Sequence, residues 1–374
     1  GPNSPVPNSR LIISKKKKIL LISKIKKCKK IIKDKVIKIN QFLDVNSFSE
    51  GILKLKGKNF IIDDKSCSIF YENLIKSKFK IINKEDPTYL LKAIKNKTEI
   101  NNMIKAHILD GVALTKFIYW IKKINNKKIT EVEAAKKLER FRKMNKNFLY
   151  PSFDTIAGSG KNGAIVHYRA EEKKCKTINK KDIFLCDSGG QYKYGTTDVT
   201  RTICFSNQNQ NIKNIFTKVL KGHIAVARTN INKDNTGQKI DKRARKFLNE
   251  SNLDYAHGTG HGVGFFLNVH EGPQSINKIN KVKIKQGMIL SNEPGYYKKN
   301  HYGIRIENLV YVKNKNGHLF FENLTMVPIE KDLINFNLLT NTELNYLFKY
   351  HLHVYSKISK YLNQNERKWL ASFI

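Results

Sequence analysis

The chain has 374 residues, 40% of them apolar, which is enough for two domains or one large domain with a substantial core. It carries 70 Lys and Arg against 31 Asp and Glu, a formal net charge of +39. No apolar run approaches the roughly 18–20 residues of a membrane span, so we expect a soluble, globular chain.

The excess of positive charge would suit a polyanionic partner. It is mostly lysine, however, spread over the whole length and mixed with Asn and Ile. The usual nucleic-acid-binding motifs are missing from the sequence. We therefore interpret the charge as a compositional bias on solvated faces, and nucleic-acid binding is not predicted as a main function.

The cysteine pattern argues against a disulfide framework or a zinc knuckle. The number is odd and no C-x-x-C pair occurs, which favours a reducing compartment such as the cytoplasm. The cysteines are Cys28, Cys67, Cys175, Cys186 and Cys204.

Short apolar segments alternate with basic stretches up to about residue 90. The run "KKKKILLISKIKKCKK" (Lys15–Lys30) has the composition of a nuclear signal, but its apolar centre favours a buried strand with basic flanks. With "KNFIID" as a further strand, the region is predicted to be a small α/β unit without a catalytic cluster.

Helices are predicted next. Apolar residues recur at helical spacing from Thr98 to Ile124, and the capping-box pattern at Thr130–Glu133 begins a helix through about Met144. Two more helices are predicted at 215–228 and 237–250.

Glycine-punctuated strands are predicted at 183–204, 256–270 and 289–312, which together with the helices indicates an α+β fold. A further capping box at Thr340–Glu343 predicts a last helix. Its aromatic stripe of Tyr346, Tyr350 and Tyr361 would pack on the domain or on a partner chain.

The segment "FLCDSGGQYKYGTTDVTRT" (Phe184–Thr202) contains two aspartates around a glycine turn. A turn centred between Tyr192 and Lys193 would place Asp187 directly opposite Asp198. Opposed residues share a face, with Cβ atoms about 4.5–5.5 Å apart. Carboxylates that close repel each other unless a proton or a cation lies between them. A solvated turn with incidental aspartates remains the alternative for this segment alone.

Histidines cluster in "AHGTGHGVGFFLNVHEGP", which supplies His257, His261 and His270 among alternating glycines. The glycines argue against a helix and indicate an extended segment in which the first two histidines share a face. Clustered histidines laced with glycine favour a functional site over structural roles.

Two glutamates complete the pattern. Glu293 ends an apolar strand in "LSNEPGYY", and in "YGIRIENLVYV" Arg305 and Glu307 face away from Ile304 and Ile306. An ion pair between Arg305 and Glu307 is the structural alternative for this piece. Asp, Asp, His, Glu and Glu on separate strands suit Mn²⁺, Zn²⁺, Co²⁺ or Fe²⁺. Four carboxylates neutralise two divalent cations, which predicts a two-metal site with a bridging hydroxide.

These segments closely resemble a known enzyme family. "DSGGQYKYGTTDVTRT", "HGTGHGVGFFLNVHEGP", "SNEPGYY" and "GIRIENLV" resemble the aminopeptidase P (Xaa-Pro aminopeptidase) branch of the pita-bread metallopeptidases, with matching order over about 96–330. "FENLTMVPIEKDLI" and the final helix resemble the eukaryotic, largely cytosolic type. The resemblance implies an α+β fold with a pita-bread catalytic domain preceded by part of a smaller creatinase-like α/β domain.

The resemblance also implies roles for particular residues. Asp187, Asp198, His261, Glu293 and Glu307 would bind two ions, usually Mn²⁺, with Asp198 and Glu307 bridging them. Glu293 would take the proton of the attacking water. His257 and His270 would contact substrate and stabilise the tetrahedral intermediate. His167, in "GAIVHYRA", would lie near the scissile bond and the proline pocket, and Arg305 would contact the ligands rather than the ions.

The implied reaction is removal of an N-terminal residue that precedes proline. Prolidase, which splits Xaa-Pro dipeptides, is the alternative, and "FENLTMVPI" favours the aminopeptidase. Methionine aminopeptidase fits "EPGYY" and "HEGP" less well. A non-catalytic pita-bread protein that binds histones or nucleic acid is a further alternative, although such relatives usually lose the ligands that this chain retains.

The resemblance divides the chain into three parts. Because a whole domain and part of a second precede "NSPVPNSRLII" in that family, we expect residues 1–92 to be the remainder of the middle, non-catalytic domain. Residues 93–331 would form the catalytic domain. Residues 332–374 would form a helical extension and a candidate contact of a homodimer.

Overall fold

The described chain forms two compact units. The computed structural model describes residues 3–5, 9–15, 19–24, 33–34, 38–124 and 128–374. The smaller unit comprises Pro5–Tyr89, and the larger comprises Leu90–Ile374 together with Gly1–Ser4. None of the helices in these described ranges combines the length and the apolar character that a membrane span requires.

Strands and helices alternate in the smaller unit. Strands β2 and β3 pair in parallel, as do β4 and β5, whereas β1 and β2 are antiparallel. Parallel neighbours need a crossover connection, and α2 lies in the one between β4 and β5. Phe48, Ile52 and Ile75 of the helices are buried in the core of this unit. The elements are β1 (Arg10–Ile13), β2 (Ile19–Ser23), β3 (Phe42–Asp44), α1 (Phe48–Lys54), β4 (Asn59–Ile62), α2 (Ile69–Lys76) and β5 (Lys80–Asn83).

The strand predicted in the basic run is observed at Ile19–Ser23, where Ile22 is buried. The flanking residues 25–32, with Cys28 among them, lie outside the described part of the chain. The other cysteines, Cys67, Cys175, Cys186 and Cys204, are free thiols.

Helix α3 (Pro87–Ala93) contains the boundary between the units, and two longer helices follow it. α4 (Lys97–Lys123) and α5 (Glu131–Lys143) both begin at capping boxes. The box of α5 is the predicted pairing of Thr130 with Glu133. Leu114 of α4 and Leu138 of α5 are buried in one core with residues of the strands that carry the aspartates. The predicted helices are thus confirmed, and they pack against the strand that carries Asp187 and the strand that follows Asp198.

Antiparallel strands form the centre of the larger unit. One sheet has the order β11-β8-β7, a second β10-β9-β6, a third β13-β12-β14-β17-β18, and β15 pairs with β16. The strands are β6 (Phe148–Pro151), β7 (Ile156–Ser159), β8 (Ile183–Ser188), β9 (Gly190–Tyr192), β10 (Gly195–Thr196), β11 (Val199–Cys204), β12 (Gly260–Gly262), β13 (Glu271–Ile276), β14 (Ile289–Asn292), β15 (Gly295–Lys298), β16 (Tyr302–Arg305), β17 (Asn308–Lys315) and β18 (His318–Asn323).

The aspartate hairpin has a different register from the predicted one. Tyr192 pairs with Gly195, and Asp187 lies opposite Thr200 rather than Asp198. The strand pairing breaks at Gly189, where a Cβ would lie 2.0 Å from the carbonyl oxygen of Thr197. Side chains alternate with period 2, so this shift by two residues leaves both aspartates on the predicted face.

The predicted strand at 256–270 is largely wrong. Only Gly260–Gly262 is a strand, with a bulge between His261 and Gly262, and the next strand, Glu271–Ile276, was missed. The glycines serve close backbone approach, as expected: a Cβ on Gly260 would lie 2.0 Å from the carbonyl oxygen of Ser291. Gly272-Pro273 has the composition of a turn, which explains why β13 was not predicted.

Helices α6 (Gln210–Ala227) and α7 (Gly237–Asn249) pack together behind the third sheet. The predicted helix at 215–228 therefore begins five residues earlier than expected. Its N-cap is Asn209, whose side chain accepts a hydrogen bond from the backbone N–H of Ile212. An Asn cap with no Glu three residues inside the helix is a weaker start signal than a capping box.

Two helices follow at the C-terminal end of the described chain, and the first of them contacts the buried Arg201 through Tyr350. α8 (Asn341–Ile358) begins at the predicted Thr340–Glu343 capping box, and α9 (Gln364–Ala371) follows. Of the aromatic stripe, Tyr350 and Tyr346 pack on the unit, whereas Tyr361 is 46% exposed.

Arg201 is 1% exposed and donates to the Tyr350 hydroxyl at 3.0 Å. It also donates to the carbonyl oxygens of Thr200, Glu307, Val327 and Pro328 at 2.7–2.9 Å. Helix α8 is thereby joined to β11 and to the segment before β17.

We predict that the larger unit loses stability in mild acid through His351. This side chain is 2% exposed, its Nε2 accepts the backbone N–H of Ile329, and burial lowers its pKa to about 3. Between that value and the ordinary pKa of about 6.5, the unfolded chain binds the proton and the folded chain does not, so stability falls as pH falls. This histidine alone should cost about 2 kcal/mol at pH 5 relative to pH 7.5.

Urea unfolding at both pH values, followed by tryptophan fluorescence, measures this loss. His351→Gln should show a smaller loss between the two pH values, and the exposed His301→Gln should behave as wild type. An unchanged pH dependence in His351→Gln would contradict the assignment.

Candidate metal centre

The two aspartates of the first motif lie at the floor of a pocket of about 500 Å³. Asp187 is on β8 and is 9% exposed, and Asp198, in the break between β10 and β11, is 4% exposed. They share a face because Asp187 is paired with Thr200, two residues beyond Asp198.

Arg305 is paired with Asp187 and not with Glu307. Its Nη2 donates to Asp187 Oδ2 at 2.6 Å, its Nε to the Thr200 hydroxyl at 3.2 Å and its Nη1 to the Tyr297 hydroxyl at 2.7 Å. The alternative of an Arg305–Glu307 pair is therefore wrong. The other oxygen of Asp187, Oδ1, is buried and has no hydrogen-bond partner within the described part of the chain.

His261 faces the carboxylates through one ring nitrogen. Its Nε2 lies 3.4 Å from Asp198 Oδ2 and 3.3 Å from Glu293 Oε1. Its Nδ1 is 2.9 Å from the Gly262 carbonyl oxygen, so Nδ1 donates a hydrogen to that carbonyl and Nε2 is the ring nitrogen that faces the carboxylates. A backbone carbonyl that fixes the tautomer in this way is typical of metal-binding histidines.

Hydroxyl groups orient the two glutamates. Ser291 donates to Glu293 Oε1 at 3.0 Å, and Thr200 donates to Glu307 Oε2 at 2.7 Å. Asp198, His261 and Glu307 each offer a ligand atom within 4.8 Å of the others. All five residues predicted as ligands line the same pocket.

The carboxylates hold more negative charge than the described protein groups balance. Burial, and then the charges of Asp187 and Glu293, raise the pKa of Asp198 well above its ordinary value. Burial and the charge of Asp198 do the same to the pKa of Glu307, and burial raises that of Glu293. Arg305 is the one permanent cation at the pocket floor within the described residues. The donor set thus fits divalent cations, which prefer oxygen and imidazole ligands.

A second acidic cluster differs from the pocket carboxylates in having a lysine within ion-pair distance. Cys204, Glu330 and Asp332 also bring ligand atoms within 4.8 Å of one another. There, however, Lys122 Nζ lies 2.6 Å from Glu330 and 3.1 Å from Asp332. A lysine thus already pairs with both carboxylates of this cluster.

The remaining predicted histidines line the pocket above its floor. His257 Nδ1 lies 2.7 Å from the Gly258 carbonyl oxygen and its Nε2 lies 2.8 Å from the Tyr297 hydroxyl. Burial lowers the pKa of His257 to about 4. The ring of His270 packs edge-on against His261 with centroids 4.2 Å apart, and His167 is exposed and lines the same pocket.

Sequence reasoning missed three hydrogen-bonding residues of the site: Thr200, Ser291 and Tyr297. Two of them follow a readable signal, because Thr200 and Ser291 each lie two residues from a predicted ligand and so share its face. Tyr297 carries no such signal, since its contacts with Arg305 and His257 depend on how β15 folds against β16.

Comparison with known proteins places these residues in a family. The sequence profile of metallopeptidase family M24 matches residues 101–314, more than half of the chain. The chain belongs to this family. The profile for the C-terminal region of peptidase M24 matches residues 317–372, and that of the creatinase/prolidase N-terminal domain matches residues 2–99. The M24 match confirms the resemblance on which the predicted roles rest.

Individual relatives agree with the family. The chain is 42% identical over 344 residues to a probable Xaa-Pro aminopeptidase P from Laccaria bicolor, covering 88% of this chain and 53% of that one. It resembles the crystal structure of an X-prolyl aminopeptidase from Caenorhabditis elegans, described as a cytosolic enzyme with a di-nuclear active site. The TM-score is 0.86 at 29% identity, covering 99% of this chain and 63% of that one.

A prolidase from Pyrococcus furiosus matches with a TM-score of 0.71 at 26% identity, covering 86% of this chain and 90% of that one. The predicted α+β fold, with a pita-bread domain after a creatinase-like α/β domain, is confirmed. The chain spans about half the length of the first relatives that it matches by sequence.

We predict that Asp198→Asn stabilises the metal-free protein. The substitution replaces a carboxyl group whose ionisation is disfavoured in the folded protein by a neutral amide, so unfolding should require about 1–2 kcal/mol more at pH 7.5. Urea unfolding in the presence of a chelator measures the change, and Glu171→Gln on an exposed segment serves as the control. A metal-free Asp198→Asn protein less stable than wild type would show that the carboxylates do not repel one another.

Proposed function

We propose that this chain contains the catalytic part of an Xaa-Pro aminopeptidase, which hydrolyses the N-terminal residue from peptides with proline in the second position. The observation that carries the proposal is the convergence of Asp198, His261 and Glu307, with ligand atoms within 4.8 Å of one another, in a family of metallopeptidases. The names of the relatives supply the substrate class.

Two divalent cations would be held by Asp187, Asp198, His261, Glu293 and Glu307. Mn²⁺ is our first proposal, with Zn²⁺ or Co²⁺ as alternatives. Two observations support this assignment: Asp187 Oδ1 is buried without a hydrogen-bond partner among the described residues, and His261 Nε2 faces Asp198 and Glu293. When bound, the cations would lower the pKa of a coordinated water and polarise the scissile carbonyl group.

The protein's own groups would move the protons. Glu293 is the proposed general base, because its carboxylate lines the pocket and lies 3.3 Å from His261 Nε2, beside the proposed cations. Ser291 holds the Oε1 atom of Glu293 at 3.0 Å, which fixes the carboxylate for that transfer.

The histidines above the floor would bind substrate. The low pKa of His257 keeps it neutral at pH 7, so it would orient substrate without adding a positive charge. His270 and His167 would contact the peptide around the scissile bond. Phe153, Ile156 and Val166 line the pocket with apolar side chains, which would suit a pyrrolidine ring.

Prolidase activity is the second candidate. The similarity to a prolidase over 86% of this chain favours it, and the two activities would use the same ligands. The relatives at higher sequence identity are named as aminopeptidases, which is why we place that activity first.

We also propose that residues 1–92, 93–331 and 332–374 are the remainder of a non-catalytic domain, the catalytic domain and a C-terminal extension. We further propose a cytoplasmic homodimer that contacts its partner through the extension. Phe348 and Leu352, 46% and 45% exposed, are four residues apart on α8 and support such a contact. Light scattering of wild type and Phe348→Glu would test it.

We predict that the chain releases alanine from Ala-Pro-Ala only when divalent metal is present. Mn²⁺ should restore the activity after chelation, and the dipeptide Ala-Pro should be a poorer substrate. Release of the first residue is measured by chromatography, together with bound metal by elemental analysis. A protein that binds less than one metal ion per chain and releases no alanine would favour the non-catalytic alternative, whereas preference for Ala-Pro would favour prolidase.

We predict that Glu293→Ala lowers kcat by at least about 100-fold, because general base catalysis contributes about 10²–10⁴-fold. Circular dichroism and the unfolding midpoint should show that the variant is folded. Glu322→Gln, on the hairpin of β17 and β18, is the control and should retain wild-type turnover. Full activity in Glu293→Ala would exclude the glutamate as the base.

A further inference from the structure

The permanent positive charge of the pocket comes from arginines at its two ends. Among the described residues that line the pocket, two are arginines, Arg305 and Arg169, and none is a lysine. Arg305 is 2% exposed and is already bound to Asp187, Thr200 and Tyr297. The side chain of Arg169 is 80% exposed, so it lies at the mouth. Arg169 is therefore the cation that remains accessible to a ligand.

Arg169 is only loosely paired. Its Nη2 lies 3.7 Å from Asp154 Oδ2, and the Asp154 side chain is 72% exposed. Charge-assisted hydrogen bonds are shorter, about 2.7–2.9 Å. A guanidinium group has five N–H donors, and none of those of Arg169 is engaged in a hydrogen bond with any residue that the structure describes. A ligand carboxylate could therefore bind beside Asp154 or displace it.

The position of Arg169 indicates which part of a peptide would meet it. In an exopeptidase the first residue lies toward the closed floor, and the rest of the chain leaves through the mouth. Arg169 follows His167 by two residues, and both line the pocket. His167 is the residue proposed to lie beside the scissile bond. The guanidinium group thus lies on the side of the leaving peptide.

We propose that Arg169 is a specificity-determining residue that binds a carboxylate of the leaving peptide. The inference rests on the proposed aminopeptidase function and adds the substrate feature that the mouth selects. The carboxylate is either the C-terminus of a short peptide or an acidic side chain just after proline. Because the site is exposed, the preference should weaken as ionic strength rises.

Three peptides distinguish the two sources of the carboxylate: Ala-Pro-Ala, Ala-Pro-Ala-amide and Ala-Pro-Glu-amide. They are assayed with Mn²⁺-loaded wild type, Arg169→Gln and the control Lys174→Gln, which removes an exposed cation from the same segment but outside the pocket. Arg169→Gln should raise KM about fivefold for carboxylate-bearing peptides, the size expected for an exposed ion pair, with kcat unchanged. It should leave KM for Ala-Pro-Ala-amide unchanged, and Lys174→Gln should match wild type throughout.

An effect on Ala-Pro-Ala alone identifies the peptide C-terminus, and an effect that extends to Ala-Pro-Glu-amide identifies the acidic side chain as well. If Arg169→Gln has the same KM as wild type for each of the three peptides, the inference is overturned and the aminopeptidase proposal stays intact. An equal rise in KM for all three, the amide included, would also overturn it. Failure of wild type to cleave any of the peptides would instead overturn the proposed function.

Discussion

The site depends on a surplus of buried negative charge. Asp187, Asp198, Glu293 and Glu307 face one another, and within the described residues Arg305 is the permanent cation among them. Asp187, Asp198 and Glu307 are 9%, 4% and 2% exposed, so water solvates them poorly and another balancing charge is required. The raised pKa values of three of the four carboxyl groups reflect this unbalanced negative charge. Because the family consists of metallopeptidases, metal ions are the balancing charge that it indicates.

Neighbouring hydroxyl groups hold the carboxylates and Arg305 in fixed orientations through hydrogen bonds. Thr200 is bound to Glu307 and also accepts a hydrogen bond from Arg305, so one side chain orients a carboxylate and the arginine that supports another. Tyr297 extends the same network from Arg305 to His257. Rigid placement of this kind is what a binding site for small, highly charged ions requires, because ligand atoms must be held close together before the ion arrives.

Most of the fold could be predicted because its signals are local. Capping boxes gave the starts of α5 and α8, and period-2 alternation put Asp187 and Asp198 on one face although the register was two residues out. The misjudged parts depend on contacts between distant segments. Arg305 pairs with Asp187 and not with the nearby Glu307, because β8 and β16 lie close together in the fold. The spacing of these residues along the sequence does not reveal that proximity. The short β12 and its bulge likewise reflect backbones packed on both sides of one strand.

The placement of Arg201 gives α8 an influence on the pocket. This guanidinium group holds the backbone carbonyl of Glu307 at 2.7 Å and that of Thr200 at 2.8 Å, while Tyr350 holds it from α8. A lesion that shifts α8 would thus displace two backbone groups of the metal centre without touching a ligand. Inactivating variants in this protein need not cluster around the pocket, and a damaged C-terminus could leave a folded chain with a misaligned centre.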